Sequence, residues 1–155
     1  MRKKIALLIA TSAVVSGLAL WATMGSAGAI SSPQTFTVVE KDTEFHYVDN
    51  APTQQASVGD ILAISGVLLR GGSKVGTTDI TCTRTHGDPA RFECIATFTL
   101  KNQGEINVQT SFSPSRRTFS AGITGGTGTY RNARGFVEID QGRGDRSKNT
   151  FHLLP

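Results

Sequence analysis

The residue best placed to do chemistry in this chain is a carboxylate in an apolar setting, Glu40. In the run QTFTVVE (34–40), alternate residues share a face, and Phe36, Val38 and Glu40 fall together. Burying an unpaired charge is costly. A carboxylate on such a face is therefore either a site for acid–base or electrostatic chemistry, or a strand-end residue that reaches solvent. The pattern alone leaves both readings open.

Other chemistry-bearing groupings are weaker. Residues 123–139 (ITGGTGTYRNARGFVEI) hold Gly125, Gly126 and Gly128 in a knot that invites comparison with a phosphate cradle. Phe119, Ala121 and Ile123 alternate before it, and Gly135, Val137 and Ile139 alternate after it, so the flanks read as strands. A phosphate loop needs a helix N-terminus behind it, so the glycines read as a tight structural turn with positive φ angles. Cys82 and Cys94 are the only cysteines; two alone make no zinc site, the three histidines lack ligand spacing, and no metal or other cofactor is expected. No GxSxG elbow is present. Arg143-Gly144-Asp145 lies in a turn-rich loop where Gly and Asp belong for conformational reasons.

The elements that must position these residues are almost all strands. The N-terminus is different. Arg2, Lys3 and Lys4 precede an apolar run from Ile5 to about Ala22, and Ala27-Gly28-Ala29 supplies a small-x-small site. This predicts a signal peptide over 1–29, cleaved after Ala29, and a secreted single domain over 30–155 with no membrane attachment; the alternative for the run is an uncleaved anchor. Without the three leader cations, 13 Lys and Arg face 12 Asp and Glu. That balance gives no footprint for nucleic acid.

After the leader, strand-like runs fall at roughly 34–40, 60–70, 75–85, 91–101, 104–112, 117–123, 134–141 and 148–154, and 44–48 extends the first if it is a strand. Short turn-forming separators between them favour an antiparallel meander: an all-β sandwich or an eight-stranded up-and-down barrel. The run 60–70 is apolar on both faces, as expected where one face lines a lumen and the other packs against a partner or cover. In a hairpin centred on Asp88, Cys82 lies opposite Cys94, close enough for a disulfide. In an oxidising compartment that bridge contributes about 3 kcal/mol on the chain-entropy model.

In this order and spacing, four stretches resemble the allene oxide cyclase and dirigent superfamily: SVGDILAISGVLL (57–69), KVGTTDITCT (74–83), RFECIATFTL followed by GEINVQ, and ITGGTGTYRNARG. The similarity covers residues 35–154. It implies an eight-stranded antiparallel barrel with an apolar lumen, commonly a homo-trimer. It also implies a glutamate at the end of the first strand, which here is Glu40, with Asp42 where a water-holding asparagine would stand. Ile64-Ser65-Gly66 replaces a Phe-Ser-Asn, so the second such amide is missing. Cys82, Phe92 and Phe112 match cavity positions, and with Phe36, Val38 and Ile64 they form the expected ligand pocket.

Three functions are compatible with these residues. One is a cofactor-independent cyclase or isomerase, or a dirigent-type stereocontrol protein, acting on a small hydrophobic molecule through Glu40 and Asp42. The second is a carrier of such a molecule without chemistry. The third is a structural cell-envelope barrel with a filled lumen. An open cavity with a buried Glu40 of raised pKa favours the first.

Overall fold

The computed structural model describes residues 30, 32–51 and 55–155, and the expected leader lies outside them. Eight strands follow one another in chain order round a closed barrel: β1 (Gln34–Val48), β2 (Ile61–Arg70), β3 (Ser73–His86), β4 (Arg91–Leu100), β5 (Gly104–Phe112), β6 (Thr118–Gly126), β7 (Arg134–Gln141) and β8 (Arg146–Leu154). Each neighbouring pair is antiparallel, including β1 with β8, which closes the wall. The barrel is the up-and-down form of the meander that the alternating runs predict. β1 continues to Val48, with a register shift between Asp42 and Glu44.

Alternation decides what fills the interior. One cluster, built around Val38, Leu68, Phe98, Ile106, Val137, Phe151 and Leu153, packs one end of the barrel and also takes in Ile30. A smaller cluster forms round Cys82, Phe92 and Cys94, with Leu62, Ile80, Ala90 and Phe112 against it. Cys82 is the direct cross-strand partner of Cys94, and the two are joined by a disulfide. The outer apolar residues of β2, Ile61, Ala63, Val67 and Leu69, are half-buried in the wall.

The Ser-x-Gly-Asp segment before β2 is a clasp. The Asp60 carboxylate is fully buried and accepts from the Tyr47 hydroxyl, from the Ser57 N–H (2.5 Å) and hydroxyl (3.0 Å), and from the Asn50 N–H (3.2 Å). These bonds, the Tyr47 hydroxyl foremost, pull its pKa down to about 2. A depressed carboxylate contributes its stability in full above its ordinary value of 3.8 and loses it as pH falls through about 2. The clasp ties the loop after β1 to the start of β2.

The glycine-rich joint runs from the end of β6 through a single 3-10 turn, Gly128–Tyr130, to β7. Gly128 has φ +58°, and a Cβ there would sit 2.5 Å from the Gln103 carbonyl oxygen. Gly72, in the β2–β3 turn, has φ +82° but open space round it. Gly72→Ala should therefore cost about 1–2 kcal/mol from strain alone. Gly128→Ala adds a backbone clash and should cost about 3 kcal/mol or more. Urea unfolding of the two variants measures the gap.

Candidate functional site

The site forms on the seam that closes the barrel. Glu40 of β1 pairs with Ser147 of β8, and Val38 pairs with Asn149. This register stacks Ser147 and Asn149 beside the Glu40 side chain. The Ser147 hydroxyl donates to Glu40 Oε2 at 2.9 Å, and the Asn149 amide donates to the same oxygen at 3.1 Å. Glu40 is only 4% exposed and Asn149 is fully buried. Among the described residues, Glu40 Oε1, Asn149 Oδ1 and Thr78 Oγ1 are buried without a hydrogen-bond partner.

Burial raises the Glu40 pKa, the Ser147 and Asn149 hydrogen bonds offset part of the rise, and the nearby Asp42 adds to it. Asp42 is also raised, first by burial and then by Asp145. A carboxyl held towards its neutral form is a proton donor, and once ionised it becomes a strong base and a fixed negative charge.

Above Glu40 lies a cavity of about 310 Å³. Its walls differ. One strip, from β1 and β8, is polar: Glu40, Asp42, Ser147 and Asn149. The rest of the lining is mainly apolar: Ile64, Ile80, the Cys82–Cys94 disulfide, Phe98, Phe112 and Phe119, with Thr110 and Gln141 as its polar members. Phe112 and Phe119 stack at 5.0 Å between centroids, giving a flat aromatic surface opposite the carboxyls. The 142–145 turn contributes Gly142 and Gly144 to the rim and β8 adds Arg146, so the Arg143-Gly144-Asp145 segment borders the cavity.

Of the residues expected from the sequence, Glu40, Asp42, Ile64, Cys82 and Phe112 line this cavity. Phe36, Val38 and Phe92 do not, and the expectation that they shape the pocket is corrected. Phe36 and Val38 share the inward face of β1 but sit at the packed end, where Phe36 stacks on Phe151 at 4.8 Å. Phe92 lies behind Phe112, at 5.8 Å, in the disulfide cluster. Gly125, Gly126 and Gly128 stand at the β6–β7 joint, outside the cavity lining.

Ser147 and Asn149 were not anticipated. Asn149 alternates with Phe151 and Leu153 on one face of the last strand, the same signal that singled out Glu40. Ser147 precedes the run as read from the sequence and joins it only in the folded β8. The amide missing from β2 also has a physical explanation. A Cβ at Gly66 would lie 2.9 Å from the Lys41 carbonyl oxygen, 3.0 Å from Thr78 Cγ2 and 3.4 Å from Glu40 Cγ. No side chain fits there without moving its neighbours, and the amide that contacts Glu40 comes from the other flanking strand, at Asn149.

An antiparallel barrel with a carboxyl in a mainly apolar lumen defines the class of protein, and the comparisons agree with it. The chain belongs to the family described as the allene oxide cyclase barrel like domain, matched over residues 34–151. Among solved structures it is similar to a pyocyanin demethylase, with 27% identity, a TM-score of 0.71, and coverage of 78% of this chain and all of that one. A pterocarpan synthase dirigent protein shares the fold at 14% identity and a TM-score of 0.61, covering 79% of this chain and 83% of that one. So does a nonspecific heme-binding cyclase that catalyses a [4 + 2] cycloaddition, at 14% identity and 0.63, covering 79% and 65%. No curated protein sequence matches significantly.

The raised Glu40 pKa has a signed consequence. Above the ordinary value of 4.5, the unfolded chain has released a proton that the folded barrel still holds. Folding stability attributable to Glu40 therefore falls as pH rises from that value through the raised folded pKa, and is flat beyond it. Glu40→Gln removes the dependence. The variant should match or exceed the wild-type melting temperature near about pH 8, with its advantage shrinking towards about pH 4.5. Circular-dichroism melts across this range check it.

Proposed function

We propose that this protein is an exported barrel that binds a small, mainly apolar, conjugated molecule in its lumen and moves a proton on it through Glu40. The observation that carries this reading is a buried carboxyl of raised pKa on the wall of a cavity whose other side is mainly apolar. The lining suits a flat ligand. Its faces would rest between the Phe112–Phe119 surface and the polar strip, with a polar edge towards Glu40.

In the proton-transfer step, ionised Glu40 takes a proton from an activated N–H or C–H of the ligand, and neutral Glu40 returns it at a second position. The product is an isomer, and the ionised carboxylate is restored. Before that return, neutral Glu40 donates a hydrogen bond to the deprotonated ligand, whose excess electron density spreads over its conjugated system. The Ser147 and Asn149 hydrogen bonds to Oε2 hold the carboxyl in place, and Oε1, which has no hydrogen-bond partner among the described residues, can carry the proton of the neutral form. Asp42, nearer the rim, adds negative charge to the site. The similarity to a pyocyanin demethylase supports planar nitrogen heteroaromatics as the first ligand class to test. The disulfide supports export. By family resemblance a homo-trimer is the expected assembly.

The carrier reading uses the same cavity, and its apolar wall supports binding whether or not chemistry follows. Calorimetry and proton exchange separate the two. Phenazine and pyocyanin should each bind saturably and raise the melting temperature. Pyocyanin incubated in deuterated buffer should exchange carbon-bound protons faster with protein than without. Glu40→Gln should slow that exchange about 100-fold or more while keeping affinity. Equal exchange with both proteins removes the acid–base role and leaves the carrier. Failure of every planar aromatic tested to bind rejects the lumenal ligand.

A further inference from the structure

The register shift in β1 re-aims an aromatic residue. Up to Asp42 the even-numbered side chains of β1 face the lumen: Val38, Glu40 and Asp42. Between Asp42 and Glu44 the pairing with β2 slips by one residue, leaving Thr43 as the extra residue of a bulge. Beyond it the parity is reversed. Phe45 now pairs with Ile64, and Tyr47 pairs with Leu62. Directly opposed cross-strand residues share a face. Ile64 lines the cavity, and Leu62 packs on the disulfide cluster. Without the bulge, Phe45 would point away from the barrel.

Phe45 nevertheless remains 60% exposed, and none of the ring contacts among the described residues involves it. The reason is the shape of the wall. β1 pairs with β8 only as far as Lys41, whereas its pairing with β2 runs on to Val48. The strand therefore overhangs the rim next to Asp42, with an uncovered phenyl ring on its lumenal side. At about 3.3 Å per residue, the backbone from Glu40 to Phe45 covers roughly 15 Å.

We infer that Phe45 is the outer wall of the ligand site and stacks on the part of the ligand that emerges from the barrel. This rests on the lumenal-ligand reading and deepens it. The ligand is an extended aromatic or conjugated molecule, with a hydrogen-bond donor at the Glu40 level and an apolar ring or chain that passes Asp42 to reach the lip. Phe45 thereby sets specificity for length, and Glu40 acts on the inner end.

The test uses 1-naphthylamine and N-phenyl-1-naphthylamine, which share a naphthyl ring and an N–H donor and differ by one phenyl ring. Their binding is measured by calorimetry and by fluorescence. Phe45→Ala should weaken the longer probe about five- to tenfold and change the shorter one by less than about twofold. Phe45→Tyr should restore the longer probe. Ile95→Ala, which truncates an equally exposed residue (61%) on the outer face, should change neither. If both probes bind and Phe45→Ala leaves the longer one unchanged, the inference falls and the cavity reading stands. If neither probe, nor phenazine or pyocyanin, binds the wild type, the cavity reading falls and takes the inference with it; if only the phenazines bind, the inference alone falls. If Phe45→Ala changes the particle mass in light scattering, the ring is seated on another copy of the chain, which also overturns the inference.

Discussion

The hydrogen-bonded burial of one carboxyl group on the closing seam of the barrel is the constraint on which the site depends. Glu40 has been taken out of water into an interior that otherwise offers phenyl rings, aliphatic chains and a disulfide. Such a group is tolerated only when its polar atoms are matched or its charge is neutralised. Here one oxygen is matched by Ser147 and Asn149, and the raised pKa shows which way the rest of the balance moves. The partners lie 107 and 109 positions away in the chain, so they reach Glu40 only once β8 has paired with β1. Closing the barrel and assembling the site are therefore one event.

The surrounding wall is shaped by the same group. Gly66 leaves room beside Glu40, where even a methyl group would press on the Lys41 carbonyl and on Thr78. The cavity consequently has two unlike sides, a polar strip on the seam and an apolar surface opposite. The arrangement orients whatever enters: the buried polar partners Glu40, Ser147 and Asn149 lie along β1 and β8, with Thr110 of β5 and Gln141 of β7 adding single polar groups elsewhere in the lining. At the other end, the Phe98–Phe151 edge-to-face pair, at 5.0 Å, belongs to the packing that fills the lumen and sets the cavity floor.

Much of the fold was legible because its signals are local. Alternation with period two identifies a strand and its two faces without reference to the rest of the chain, and eight such runs appear. The Cys82–Cys94 pairing was legible for the same reason, since a short hairpin sets its own register. Glu40 stood out as an acid on an apolar face. Asn149 carried the same kind of signal, an amide alternating with Phe151 and Leu153. Its contact with Glu40 was not readable, because nothing local relates the first strand to the last. The bulge at Thr43 is similar: one extra residue in a strand is visible only against its partner.

Phe36, Val38 and Phe92 mark the limit of face arguments. All three face inward, yet none lines the cavity. Alternation gives the side of the wall on which a residue lies. Its height along the barrel axis depends on strand tilt and stagger, which belong to the closed sheet as a whole. The sequence by itself thus determined the strands, their faces, the hairpin disulfide and the acid. The tertiary structure alone decided the depth of each side chain, the partners of Glu40 and the direction of its pKa, because burial and cross-seam contact are properties of closure and not of any segment.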